Sequence, residues 1–463
     1  MTGAVLDALV AEMLATVRSR ADDDLRSLGA APAVLDGIGS HFREALSFLL
    51  GSHVRDQTRI WEAISGGWPQ PDATASDAFA AYMRADGWAA LFERLPSLEA
   101  LLSTVVELEA EAASLLLARA AADAGGLAES FGAGGEAGPL TRASIGLSDP
   151  HNGRRTVASL EFAGGMHVIY KPRPVAMERA LTATLDRLRR GAELDVPAGP
   201  RVLELDGYGW CEFVEHRPCA SREDVDRYFR RLGALAAVLA ALAATDCHAD
   251  NFVARGADPI LVDAETLLHP RLLASPGFSV LETEIVPSQV QGPSGQLIDY
   301  AGFDAPTAER DDAPNLPVWG GRSHRLGDHR AAFDQGVDAA RDALGSVGPV
   351  PVRDLANRQA RVVLRPTSVY AALLAHTISA SELGSADGGL ARVERELIRY
   401  QDPGLAPDVW DAVRRAELAA LTRGDVPYFL ADTTTGDLQT LDGELLGAGA
   451  VDPVLPQLEA RIS

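Results

Sequence analysis

Two acidic clusters lie close together near the middle of the chain, Asp246-Cys247-His248-Ala249-Asp250-Asn251 and Asp263-Ala264-Glu265. Between them, Phe252 to Val262 reads as a short strand (FVA), a turn around Gly256-Ala257-Asp258-Pro259 and a second apolar strand (ILV). Such a hairpin brings Asn251 and Asp263 to the same end of two neighbouring strands. An Asp five residues ahead of an Asn, then a hairpin and another Asp, is an arrangement that phosphoryl-transfer sites use. There one Asp orients or deprotonates the attacking hydroxyl, while the Asn and the later Asp hold Mg²⁺ against nucleotide phosphates. Asp and Asn at strand ends also cap turns, and a single Asp-x-x-x-x-Asn means little. The second Asp directly after an apolar strand, with Glu265 following, favours a metal-phosphate site.

Other residues read as partners for such a site. Thr156 to Phe162 alternates, Ala163-Gly164-Gly165 turns, and Met166 to Tyr170 alternates again, a β-hairpin that ends on Lys171. A lysine projecting from such a strand brings an ammonium to the α- and β-phosphates in kinase-like folds. A solvated strand-end lysine fits the same pattern. Glu178 and Asp186, on a helix expected from Met177 to Arg190, are both candidates to pair with it. Just before the hairpin, Ser148-Asp149-Pro150-His151-Asn152-Gly153-Arg154-Arg155 holds one Gly where a phosphate loop would be Gly-rich. Its Asp149, His151 and arginines offer an acid or base beside phosphate-sized cations, or simply a polar turn. Later, Arg361 and Arg365 flank an apolar run before Thr367 and read equally as a phosphate clamp or as surface arginines.

The elements that must position these residues follow from the rest of the chain. Its 463 residues suffice for two to four domains, and 47% hydrophobic with 23% charged residues is an ordinary globular composition. Lys and Arg number 42 against 65 Asp and Glu, a formal charge of -23 that argues against nucleic acid or an anionic membrane as main partner. Three cysteines (Cys211, Cys219, Cys247) without metal spacing suit a reducing compartment, and no signal peptide or membrane-length apolar run is visible. A cytoplasmic location is expected. Helical spacing fills the first 135 or so residues, clearest at Val5 to Arg18, Ser76 to Arg94 and Leu98 to Ala121, with His53, Trp61, Trp68 and Trp88 as packing residues. Ala124 to Gly138 reads as a Gly-rich linker, Arg201 to Leu205 and Gly209 to Val214 as strands, and Tyr228 to Ala244 as a buried helix delivering the chain to Asp246. Pro287 to Pro317 reads as a long loop covering a site or binding a flexible substrate, His329 to Leu344 as a helix, and the remainder as mainly helical with a distinctive turn at Gly424 to Phe429.

In order along the chain, the segments SDPHNGRRTV, HVIYKPRPV, GYGWCEFVEHRPC, TDCHADNF, ILVDAETLLHP, RVVLRPTSVY and GDVPYF resemble the dehydratase domain of class II lanthipeptide synthetases. They are specific jointly rather than singly, and they spread from about Leu95 to Phe429. The resemblance implies an α+β fold, with a lipid-kinase-like two-lobed core between a helical N-terminal region and helical C-terminal additions. It divides the chain into a helical region (1–138), an N-lobe (139–218), a C-lobe with a long loop (219–345) and a C-terminal part carrying an elimination motif (346–463).

The function so implied is phosphorylation of Ser or Thr in a precursor peptide by ATP, followed by phosphate elimination to dehydroalanine or dehydrobutyrine. By motif, Lys171 and Arg155 would contact ATP, Asp246 would be the phosphorylation base beside His248, and Asn251 and Asp263 would bind Mg²⁺ with support from Glu265. Arg361 and Thr367 would serve elimination, and Asp149 and His151 match the family's other active-site pair. Two positions depart from the family: Ala249-Asp250 replaces an aromatic-Glu pair, and Arg154 stands where a second Gly is usual. The zinc-ligand residues of the family's cyclase domain are not seen, so the chain reads as a stand-alone dehydratase or as part of a longer one. The implied partners are a precursor peptide with its leader and, for ring closure, a separate cyclase. A plain kinase without elimination and a non-catalytic leader-peptide binder are the competing readings.

Overall fold

Apolar residues three and four apart make more than half of the described residues helical, and the described strands are short and gathered in small sheets, a mixed α+β architecture. The computed structural model describes residues 2–64, 73–132, 137–270, 280–286, 288–291, 297–300, 313–347, 355–385, 389–399 and 404–457. Trp68 and most of the expected loop from Pro287 to Pro317 lie outside these. Within that stretch the described residues include two paired strands, Ser288–Gln291 and Leu297–Tyr300. Among the described residues no helix is long and apolar enough to cross a membrane.

The chain forms two compact units: Met1–Pro172 with Arg365–Gln401 and Val413–Pro427, and Arg173–Leu364 with Asp402–Ala412 and Tyr428–Ser463. In the first unit, helix Pro32–Ile64 turns Val34, Ile38, Phe42, Leu46, Leu50, Val54 and Trp61 inward at helical spacing. Helix Pro96–Ala122 starts on a proline, where the missing N–H costs nothing, and buries Leu98, Leu102, Val105 and Glu109. The expected linker is instead helix Ala124–Phe131: Leu127, Ala128 and Phe131 share a buried face that the neighbouring glycines obscure in the sequence. Strands Leu140–Ile145, Ala158–Phe162 and His167–Lys171 follow, antiparallel in order, with Ala158 opposite Tyr170. Helices Thr367–Thr377 and Leu390–Arg399 bring Tyr370, Leu373, Leu374, Val393 and Leu397 into a small core with Leu421 and Val426.

The second unit is built around helix Arg222–Ala241, whose Ser221 hydroxyl caps it by accepting the Asp224 N–H at 3.2 Å. Tyr228, Phe229, Leu232 and Leu235 lie in a core with Leu185, Phe252, Leu261 and Phe333. Helix Arg330–Val347 crosses it at very close range. A Cβ at Gly233 would stand 1.9 Å from the Phe333 carbonyl oxygen, and one at Gly336 would stand 1.8 Å from that of Arg230, so both positions exclude any side chain. The hairpin Phe252–Arg255/Asp258–Leu261 forms as expected, with the turn tightened to Gly256-Ala257 because Asp258 already pairs with Arg255. A four-stranded antiparallel sheet joins Gln359–Val362 to Phe429–Asp432, Leu438–Thr440 and Leu445–Gly447.

Candidate functional site

The chain leaves helix Arg222–Ala241 and reaches Asp246 in a left-handed backbone conformation, φ 57°, uncommon for a residue with a side chain. The Asn251 amide nitrogen donates to the Asp246 carbonyl oxygen at 2.8 Å and helps hold this corner. His248 closes the same loop, its Nε2 lying 3.5 Å from Asp246 Oδ1 and its Nδ1 accepting the Asp250 N–H. Burial raises the Asp246 carboxyl above its ordinary value, opposed by the neighbouring His248 and by the positive charge of Arg361. A raised value makes the carboxylate a better proton acceptor.

Past the hairpin, the Val262 N–H donates to the Asn251 carbonyl at 2.9 Å, which sets Asn251 and Asp263 at one end of the paired strands. Asp263 Oδ1 then accepts from the Arg173 guanidinium at 2.6 Å and from the Glu265 N–H at 3.3 Å. Arg173 is the hub of this region. It is almost completely buried and pairs with Glu178 at 2.8 Å, with Asp263, and through Nε with Glu265.

Glu265 meets three donors: Arg173, the Arg361 guanidinium, and the Tyr428 hydroxyl at 2.7 Å. Burial alone would push its carboxyl up, but Arg173 and Arg361 outweigh burial and hold it at about 2. Arg361 lies on strand Gln359–Val362, its N–H donating to the Glu265 carbonyl at 3.0 Å and its guanidinium stacked 4.8 Å from the Tyr428 ring centroid. Burial would lower its pKa, and Glu265 and Tyr428 more than reverse that. A carboxylate, two guanidiniums and a phenol thus form one continuous network beside Asp263.

The first unit holds the other expected residues. Lys171 ends its strand almost fully buried, not as a solvated strand-end residue. His151 and Arg155 exchange backbone hydrogen bonds at 3.0 Å and close the intervening turn. Asp149 is exposed beside it. Arg154 takes φ 64°, a conformation that glycine adopts most freely. It is held there by Glu109 at 2.7 Å and by the Gly424 carbonyl at 2.5 Å. Thr367 opens helix Thr367–Thr377 directly after Pro366. Arg365 is neither clamp nor surface residue: buried, it forms a two-point pair with Glu417 at 2.6 and 3.1 Å, and Tyr370 donates to the same carboxylate at 2.7 Å.

Sequence reasoning passed over Arg173, Tyr428, Glu109 and Asp425. Arg173 carried a signal, a cation pinned between two prolines directly after Lys171. Tyr428 and Asp425 stand in the noted Gly424 to Phe429 turn, but their partners are far away in sequence. Glu178 pairs with Arg173, and Asp186 pairs with Arg189 and Arg190 on its own helix at 3.3 and 3.6 Å. Among the described residues no group of three or more His, Cys, Asp or Glu side chains gathers as a metal site.

A family model described as "Domain of unknown function (DUF4135)" matches residues 95–310 and 277–432. The chain is also similar to the "Lacticin 481/lactococcin biosynthesis protein LcnDR2" of Lactococcus lactis subsp. lactis, 36% identical over 68 residues that cover 15% of this chain and 7% of that protein. Every candidate residue named above lies within the residues matched by the family model.

Proposed function

The chain belongs to the family described as Domain of unknown function (DUF4135), and on that premise we propose that it is a lanthipeptide dehydratase with a lipid-kinase-like core. Two things support the reading: the ordered motif set, and a similar protein whose name assigns it to lacticin 481 biosynthesis. The observation that carries it is the Asp246–Asn251–Asp263 hairpin corner. A raised carboxylate stands next to an amide and a second carboxylate, beside a network whose free energy is invested in fixing two guanidiniums.

In the first step Asp246 takes the proton of a Ser or Thr hydroxyl as its oxygen attacks the γ-phosphorus of ATP and ADP departs. The donor set fits Mg²⁺, since Asn251 and Asp263 offer oxygens and the Asn251 nitrogen is already spent on the Asp246 carbonyl. When bound, Mg²⁺ neutralises charge on the phosphates. Glu265 acts indirectly, by holding the guanidinium of Arg173 that also grips Asp263. Lys171 and Arg155 serve the phosphates of ATP.

In the second step the Cα proton is removed, its electron pair forms the Cα–Cβ double bond, and the Cβ–O bond breaks to release phosphate. Arg361 and Thr367 receive the departing phosphate, with Asp149 and His151 as the acid-base pair. The substrate is a ribosomal precursor peptide with its leader.

The test is mass spectrometry of a Ser/Thr/Cys-rich precursor peptide treated with the protein, ATP and Mg²⁺. Each modified residue should lose about 18 Da, one water, by phosphorylation then elimination. Asp246→Ala should abolish every mass change, and Arg361→Ala should leave phosphopeptide. One observation favours a second reading, a kinase without elimination: a guanidinium N–H of Arg361 is already committed to Glu265. Phosphopeptide accumulating with the unmodified protein would establish that reading, and fully dehydrated product from Arg361→Ala would remove Arg361 from the mechanism.

A further inference from the structure

The turn Asn152-Gly153-Arg154 holds three successive residues at positive φ, 42°, 83° and 64°. Glycine adopts this freely and Asn tolerates it, but Arg154 does not, so contacts from outside the turn are needed to hold it. Asp425, with no solvent exposure, accepts the Gly153 N–H on Oδ2 and the Arg154 N–H on Oδ1, both at 2.8 Å. The next residue completes the clamp: the Val426 N–H donates to the Pro150 carbonyl at 2.8 Å, and His151 Nδ1 lies 2.7 Å from the Val426 carbonyl oxygen. A carbonyl oxygen only accepts, so Nδ1 carries the proton and Nε2 of the neutral ring is the basic nitrogen. Glu109 and the Gly424 carbonyl fix the Arg154 side chain on the far side of the turn.

We propose that Asp425 is a positioning residue for His151: it clamps the left-handed turn so that His151 meets the Val426 carbonyl and is fixed with its basic nitrogen at Nε2. This rests on the dehydratase reading, in which His151 serves elimination. Without the carboxylate, two N–H groups lose their partners and the turn relaxes towards ordinary φ, which carries His151 off the Val426 carbonyl. A carboxylate accepts from both N–H groups at once. In Asn an NH₂ replaces one of the two oxygens, so one of these N–H groups would face a donor instead of its acceptor.

The experiment compares the full chain with its Asp425→Asn variant, both labelled with ¹⁵N-histidine, and assigns His151 by the signal lost in His151→Asn. The unmodified protein should show a protonated Nδ1 and unprotonated Nε2, and Asp425→Asn should show the two forms averaging. A protonated Nε2 in the unmodified protein, or no change in the variant, overturns the proposal. With a phosphoserine peptide as probe, phosphate release should fall about tenfold further than ADP formation on the serine peptide. Equal losses would reduce Asp425 to a purely structural residue. If the unmodified protein releases no phosphate, the dehydratase reading fails while the NMR still decides the clamp. Should Asp425→Asn not fold, amide exchange in the unmodified protein decides. Gly153 and Arg154 exchanging as slowly as strand Ala158–Phe162 supports the clamp, and exchange as fast as an exposed loop ends it.

Discussion

Glu265 stands among two guanidiniums and a phenol, all donors, and its value as an ion comes entirely from them. Replacing it with Gln turns amide hydrogens towards donors and takes from Arg361 its paired carboxylate, while Arg173 keeps Glu178 and Asp263. Breaking a buried pair in this way costs about 3–5 kcal/mol. Tyr428→Phe removes only one donor and keeps the ring under Arg361, so its cost should be about 1.5–3 kcal/mol. Urea unfolding of both variants checks this order, and a larger loss from Tyr428→Phe would contradict the network as described. The same residues show how far the sequence could be read. Asp246, Asn251 and Asp263 stand out because a short hairpin fixes their relation over a few residues. The centrality of Arg173 does not, because it comes from a carboxylate 90 positions later.

At the scale of elements, Asp246 depends on the helix that precedes it. Arg222–Ala241 packs against Arg330–Val347 through Gly233 and Gly336, with a main-chain oxygen where each Cβ would go. Gly336→Val must push the two helices apart, a shift of the overpacking kind that costs about 1–3 kcal/mol or more. We expect a lower urea midpoint and a loss of phosphorylation that follows from moving the chain ahead of Asp246. Gly345→Ala, in the same helix with nothing near its Cβ, is the control and should be neutral or slightly stabilising. Matching behaviour of the two variants would refute the close packing. Long helices and the two hairpins were legible because their periods persist. Strand Leu140–Ile145 was not, since its burial departs from strict alternation, and neither were the strands from Phe429 to Gly447, which are only three or four residues long.

At the scale of the whole molecule, the joining of residues 365–401 and 413–427 to residues 1–172 depends on pairs distant in sequence, such as Arg154 with Gly424, and no local pattern announces it. Acidification acts on the whole molecule in two opposing ways. Lowering the pH reduces the formal charge of -23 and relieves self-repulsion, which favours the folded state. His269 acts against this. Burial lowers its imidazole from the ordinary 6.5 to about 4, with Arg361 adding in the same direction, while Nε2 accepts the Val363 N–H at 3.0 Å. Because the folded value is the lower one, the unfolded chain binds the proton first. Stability is therefore intact above 6.5 and lost as pH falls towards 4. Between pH 7 and pH 5 the loss amounts to about 2 kcal/mol. The Glu265 contribution is lost lower still, between 4.5 and about 2. Charge relief is spread over many exposed groups and screened by salt, so the His269 imidazole should dominate this window. His269→Gln keeps an acceptor for the Val363 N–H but cannot titrate. Its urea midpoint should therefore stay nearly level from pH 7 to pH 5 while that of the unmodified protein falls, and parallel profiles would show that another group governs acid sensitivity.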